Sequence, residues 1–148
     1  MKGALAVLNG DLQSLKFLMT LIRICDDDLV ALAARKGYLD IVKYLIKEGF
    51  DVNVANTDGE TPLHFASLYG DLAVFKVIWN ESIEKNPKDK NGITPLHFAC
   101  QHGHRLIVKF LISRDGLNLY QKCTALLFQY NDNMQNSEGW VVDNNFVW

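Results

Sequence analysis

One pattern of twelve residues occurs twice in this chain. Gly59-Glu60-Thr61-Pro62-Leu63-His64-Phe65-Ala66-Ser67-Leu68-Tyr69-Gly70 returns as Gly92-Ile93-Thr94-Pro95-Leu96-His97-Phe98-Ala99-Cys100-Gln101-His102-Gly103, with an offset of 33 throughout (92 − 59, 94 − 61, 103 − 70). Another step of 33 back from Gly70 reaches Gly37, which Ala33-Ala34-Arg35-Lys36 precede and Tyr38-Leu39-Asp40-Ile41-Val42-Lys43-Tyr44-Leu45-Ile46 follow. A shorter copy from Ala6 to Met19 places Gly10 only 27 residues before Gly37, so the first connection has lost about one hairpin of chain. Self-similarity at this period means one small unit per copy. Such a unit cannot bury its apolar face alone, so the copies must stack.

The residues of one copy predict two helices. Thr61 offers a hydroxyl N-cap, and Pro62 stands at the first helical position, where its missing N–H costs nothing. Gly70 can take the left-handed conformation that ends a helix. The first helix is then about two turns long. Beyond the glycine, Leu72, Val74, Phe75, Val77, Ile78 and Trp79 fall near the spacing of a second, amphipathic helix. Helices this short are marginal in isolation, and contact with the neighbouring copies has to stabilise them.

A 33-residue period that carries Thr-Pro-Leu-His and a downstream glycine strongly resembles the ankyrin repeat, over about residues 4–126 and most clearly over 28–118. The resemblance implies an all-α solenoid of helix–turn–helix units with short hairpin fingers. It divides the chain into an ankyrin repeat domain over 1–126 and a non-repeat C-terminal cap or tail over 127–148. The copies run from about 1–24, 25–55, 56–88 and 89–121, with the degenerate start of a fifth from 122. Asp28-Leu29-Val30-Ala31 stands where Thr-Pro-Leu-His is expected in the second copy, and the first copy lacks the motif. Thr124-Ala125-Leu126 resembles the opening of the fifth copy. Its second helix cannot be found, because Tyr130 to Gly139 is rich in Asn, Asp, Gln and Ser.

Composition then excludes several classes. The 148 residues carry 15 Lys plus Arg against 17 Asp plus Glu, a net charge of −2 with the signs interleaved. Direct nucleic-acid binding, which needs a basic excess or face, is therefore not expected. The apolar run Ala4 to Leu8 is too short for an export signal, and nothing approaches the roughly 18 apolar residues of a membrane span. Cys25, Cys100 and Cys123 are odd in number and lack metal-binding spacing, which suits free thiols in a reducing compartment. These points predict a monomer in the cytoplasm, with the nucleus also open to it, and no membrane contact.

His97, Cys100, His102 and His104 resemble a set of zinc ligands when taken alone. The repeat explains them otherwise. His97 shares the register of His64, Cys100 that of Ser67 and Ala34, and His104 fills a position that is often histidine in ankyrin repeats. Only His102 is left for a partner. No phosphate loop, nucleophile elbow or H-E-x-x-H motif is present, so no cofactor, metal or catalytic residue is expected, and a Cys/His-dependent enzyme is the remote alternative. Trp79 shares the register of Ile46 and Ile112, which predicts a mostly buried packing role.

In ankyrin proteins the fingers and the exposed side of each first helix line a concave groove. The resemblance implies a partner surface here made of Leu8, Asn9, Arg35, Lys36, Leu68, Tyr69, Gln101 and His102 on the helices. The fingers add Ala55, Thr57, Asp58, Glu60, Lys88, Lys90, Asn91 and Ile93. Tyr69, an amphipathic aromatic of the kind enriched at hot spots, is its centre. Mixed charges around it suit a folded protein partner. Asp51-Val52-Asn53, preceded by Leu45, also resembles the ankyrin hairpin site that 2-oxoglutarate-dependent asparaginyl hydroxylases modify, with Asn53 as the target. The expected function is non-enzymatic binding of a protein, as a stoichiometric inhibitor or adaptor that acts by occupancy. The alternative is a scaffold subunit whose aromatic tail, Trp140 to Trp148, recruits a second protein.

Overall fold

A computed structural model describes residues 2–21 and 28–115. Cys25, Cys123, the opening of the fifth copy and the aromatic tail lie outside the described residues. Within them the chain forms eight α-helices and no strand: α1 (Lys2–Leu8), α2 (Leu12–Leu21), α3 (Leu29–Lys36), α4 (Leu39–Lys47), α5 (Pro62–Tyr69), α6 (Leu72–Glu81), α7 (Pro95–Gln101) and α8 (Arg105–Asp115). Each copy is one pair of antiparallel helices. The odd-numbered helices pack side by side as one row, and α4, α6 and α8 form a second row behind it.

The helix ends follow the residues predicted to make them. Thr61 and Thr94 are extended, each with proline in the next position, and each closes a capping box with the histidine three residues on. The Thr61 N–H donates to His64 Nδ1 at 3.0 Å and the Thr94 N–H to His97 Nδ1 at 3.1 Å. α3 starts without this device, since Asp28 makes no side-chain cap. The joint glycines Gly10, Gly37, Gly70 and Gly103 all have positive φ, between 66° and 94°. After Gly37 the chain closes α3 with paired bonds, Gly37 N–H to Ala34 O and Tyr38 N–H to Ala33 O. Asp71 then caps α6, its carboxylate accepting from the Ala73 N–H at 2.7 Å.

The core repeats with the sequence. In the first row, Ala33 and Ala34, Ala66 and Ser67, and Ala99 and Cys100 are all buried, and these small side chains let α3, α5 and α7 approach closely. The second row buries larger groups at the same period: Ile41, Val42 and Leu45, then Val74, Phe75 and Ile78, then Ile107, Val108 and Leu111. Bulk therefore separates the second row while its absence draws the first together. That inequality favours curvature toward the first helices.

Trp79 keeps only a minor part of its surface accessible and packs against the core, the packing role that its register predicts. It stacks on Phe75 at 5.9 Å and meets Phe110 edge-on at 5.6 Å, while Lys85 Nζ lies 5.4 Å from its ring centre and donates to its carbonyl. Trp79 lies in the last turn of α6, and one side of the indole stays accessible to the lysine.

Candidate partner-binding surface

The two complete fingers are built alike from residues 33 apart. Asn56 N–H donates to Glu60 O and Asp89 N–H to Ile93 O, both at 2.9 Å. Inside each turn a single side-chain oxygen organises the backbone. Asn56 Oδ1 accepts from the N–H groups of Asp58 and Glu60 at 2.9 Å, and Asp89 Oδ1 accepts from those of Asn91 and Ile93 at 2.8 Å. The fingers are also joined to each other, since the Lys90 N–H donates to Asp58 O at 2.9 Å. Rigid backbone thus carries exposed side chains: Ala55, Thr57, Asp58, Lys88, Lys90 and Asn91 all face solvent. Glu60 and Ile93 do not. Both are half-buried, Glu60 accepting from Asn56 Nδ2 at 2.9 Å, and Ile93 lending its carbonyl to His64.

His64 is the bond between these fingers and the first-helix row. Its Nδ1 accepts the Thr61 N–H, which requires the proton on Nε2, and Nε2 lies 3.0 Å from Ile93 O in the next copy. The ring is 1% exposed, and burial pushes its pKa below the ordinary histidine value despite the carbonyl acceptor. Neutral imidazole is the form that the stack selects.

On the first helices Leu8, Asn9, Arg35, Lys36, Tyr69, Gln101 and His102 are exposed, and Leu68 is half-buried. Tyr69 is 48% exposed, yet its ring is also a packing element. It lies against Gly37, where a Cβ would come within 2.0 Å of it. His104 does the same at Gly70, with Nε2 placed 2.9 Å from Leu68 O, and Tyr38 lies over Gly10 with its hydroxyl 3.3 Å from Leu8 O. Gly10, Gly37 and Gly70 are therefore each covered by a ring from the next copy.

A further column of this surface escaped the sequence reasoning. Leu32, Phe65 and Phe98 recur at the 33-residue period and are half-buried. Each lies four residues before Lys36, Tyr69 or His102, so the two columns share one helix face. Phe98 and His102 show this directly, stacked with ring centres 6.4 Å apart. The signal was available, because large apolar residues held a register next to the exposed positions. The first-helix face is thus an apolar column beside a mixed column of lysine, tyrosine and histidine.

The histidine and cysteine cluster separates into individual roles. Cys100 is buried between helices. His97 belongs to a capping box, His104 to the joint above Gly70, and His102 Nδ1 lies 3.0 Å from Phe98 O. Among the described residues no three His, Cys, Asp or Glu side chains are grouped to hold a metal. No helix among them is long and apolar enough to cross a membrane. Asn53 is half-buried with its amide engaged at both atoms. Nδ2 donates to Asp51 Oδ1 at 2.8 Å, and Oδ1 accepts the Ile83 N–H of the next connection at 2.8 Å.

The family model for ankyrin repeats, built of three copies, matches over residues 4–89, 30–123 and 78–140. A stretch of 38 residues is 53% identical to protein phosphatase 1 regulatory subunit 12A of Mus musculus, covering 26% of this chain and 4% of that protein. The Rattus norvegicus protein of the same name matches to the same extent. A stretch of 41 residues is 49% identical to alpha-latrocrustotoxin-Lt1a of Latrodectus tredecimguttatus, covering 28% of this chain and 3% of the toxin. The chain thus spans only a few per cent of the curated relatives it matches. With the period, the capping boxes and the stacked pairs in agreement with the family model along most of its length, the chain belongs to the ankyrin-repeat family.

Proposed function

We propose that this protein binds a partner protein on the first-helix face and the fingers, without catalysis, and acts by occupancy as an inhibitor or adaptor. Ankyrin repeats are a protein-interaction module, and one matched relative is by name a regulatory subunit. The observation that carries the reading is the pair of columns Leu32, Phe65, Phe98 and Lys36, Tyr69, His102. Their side chains remain accessible on helices whose opposite faces are locked by alanine, serine and cysteine packing. A rigid backbone with accessible aromatic groups is the arrangement that loses little entropy on association. Arg35, Lys36, Asp58, Lys88, Lys90, Asn91, Gln101 and His102 form the polar rim, and Tyr69 is the anchor.

Affinity capture with wild type and a Lys36→Glu/Phe65→Ala variant tests this. A partner retained by wild type and lost by the variant, at unchanged helical circular dichroism, supports the reading. Equal recovery by both proteins of every captured partner refutes it.

A further inference from the structure

The second finger carries an amide that can be lost without an enzyme. Asparagine followed by glycine occurs twice in the sequence, at Asn9-Gly10 and at Asn91-Gly92. In such a pair the glycine amide nitrogen has no Cβ beside it and can reach the carbonyl carbon of the asparagine side chain, closing a five-membered imide. The two pairs have different surroundings.

Asn91 and Gly92 are both exposed in the second finger, and nothing lies within 4 Å of a Cβ added at Gly92. The Gly92 N–H donates to Asp89 O at 3.0 Å. Other bonds hold the finger together when that one opens. Asp89 N–H donates to Ile93 O, Asp89 Oδ1 accepts from the N–H groups of Asn91 and Ile93, and Lys90 N–H donates to Asp58 O. Release of the attacking nitrogen is thus a local opening of one turn bond, which exposed loop tips undergo most readily. Gly10 is placed otherwise. Its N–H donates to Val7 O at 2.9 Å, Asn9 N–H donates to Leu5 O at 3.0 Å, and the Tyr38 ring lies 3.0 Å from an added Cβ. Movement there has to unwind the end of α1 and displace a ring of the next copy.

We propose that Asn91 is a modification site, where the side-chain amide is lost spontaneously and the residue becomes aspartate or isoaspartate. Hydroxide removes the Gly92 amide proton, and the nitrogen attacks Asn91 Cγ. The N–Cγ bond forms, and the Cγ–Nδ2 bond breaks as ammonia leaves with a proton from water. Water then opens the imide. Cleavage at the Cγ carbonyl restores the ordinary chain with aspartate, whereas cleavage at the main-chain carbonyl leaves the chain running through Cγ as isoaspartate. Overall a water is consumed and an ammonia released, with no change of oxidation state.

The fold already holds the aspartate product elsewhere. Asp58-Gly59 occupies the same register of the first finger, 33 residues earlier, and the Asp58 N–H meets Asn56 Oδ1 as the Asn91 N–H meets Asp89 Oδ1. A carboxylate at this position is therefore compatible with the turn. The new charge joins Lys88 and Lys90, both exposed in the same finger. If the fingers bind a partner as proposed above, the conversion makes that contact less positive, and isoaspartate also adds a carbon to its backbone.

The test holds the full chain in native buffer at two alkaline pH values and, in parallel, in concentrated guanidinium chloride. Peptide mapping with electron-transfer fragmentation follows each asparagine and separates aspartate from isoaspartate. In native buffer Asn91 should convert about tenfold faster than Asn9, with isoaspartate among the products and a rate that rises with pH. In guanidinium the two rates should converge, because the dipeptide is the same. Gly92→Ala should slow the native conversion of Asn91 by about tenfold or more, since its Cβ obstructs the attack. Circular dichroism checks that this variant folds, because φ at Gly92 is 76°; if it does not, the wild-type comparison decides alone. Three results would overturn the inference. They are an unchanged Asn91 in native buffer while it converts in guanidinium, equal native rates at Asn9 and Asn91, and a wild-type rate in folded Gly92→Ala. No partner enters these measurements, so failure here and failure of the binding surface are separate results.

Discussion

Replacement of Gly70 by alanine separates two costs that act together at the joints of the stack. At φ 94° the backbone is left-handed, which costs a residue with a side chain about 1–2 kcal/mol. A Cβ at Gly70 would also lie 2.2 Å from the His104 ring, closer than any contact can be. The ring must leave. With it goes the contact of His104 Nε2 with Leu68 O at 2.9 Å, a bond that contributes about 0.5–1.5 kcal/mol. The total is about 1.5–3.5 kcal/mol. Gly49 is the internal control, because its φ is 90° and nothing lies within 4 Å of its added Cβ. Gly49→Ala should therefore show the backbone cost alone, about 1–2 kcal/mol. Urea unfolding followed by far-ultraviolet circular dichroism measures both, and the difference between them, about 1 kcal/mol, belongs to the His104 ring. In a His104→Ala background the Gly70→Ala cost should fall to that of Gly49→Ala. Equal losses for the two single glycine variants in the native background would show that the ring does not seal the joint.

Four other outcomes follow from the same contacts. Tyr69→Ala should weaken partner binding by about 1–3 kcal/mol, measured by calorimetry once a partner is in hand. It should also destabilise the fold measurably, because its ring packs on Gly37; an unchanged melting temperature would mean that the ring contributes nothing there. Ala66→Leu places extra bulk between α3 and α5 and should cost about 1–3 kcal/mol in chemical denaturation. The His64 pKa is depressed, so below about pH 6.5 the unfolded chain takes up a proton before the folded one does. The stability this residue contributes is complete above that pH and declines as pH falls from there through the folded value. Thermal melts of wild type and His64→Gln across that window should converge on acidification, and a constant gap would refute the assignment.

Most of the helical frame was visible in the order of residues, because its causes are local. Thr61-Pro62 and Thr94-Pro95 begin helices through bonds three residues long, and the joint glycines end them through one residue's backbone freedom. The accessible positions on the fingers were likewise evident, since hairpin turns expose their tips. What remained hidden depends on contacts between copies. The rings over Gly10, Gly37 and Gly70 come from Tyr38, Tyr69 and His104, which stand after, before and after their own joint glycines. No single offset joins them, so periodicity could not reveal the pattern. Tyr69 was expected as a pure surface residue for this reason. The bonds from Lys90 N–H to Asp58 O and from Ile83 N–H to Asn53 Oδ1 use backbone donors, for which side-chain identity carries no signal. Glu60, Leu68 and Ile93 were expected at the partner surface and are half-buried: the Glu60 carboxylate is held by Asn56 within its own finger, and the Leu68 and Ile93 carbonyls meet His104 and His64 of the adjoining copies.

The unequal packing of the two helix rows makes the stack a leaf spring that yields unequally in its two directions. Bending it tighter compresses Ala66, Ser67, Ala99 and Cys100, which are all buried in the first row. Flattening it stretches the same row, where His64 to Ile93 O and His104 to Leu68 O are among the bonds that span neighbouring copies. A closing load meets hard contact at once, whereas an opening load works against a few polar links, one of which loosens when His64 takes up a proton. The span between its fingers is thus a length set by the smallest side chains in the molecule.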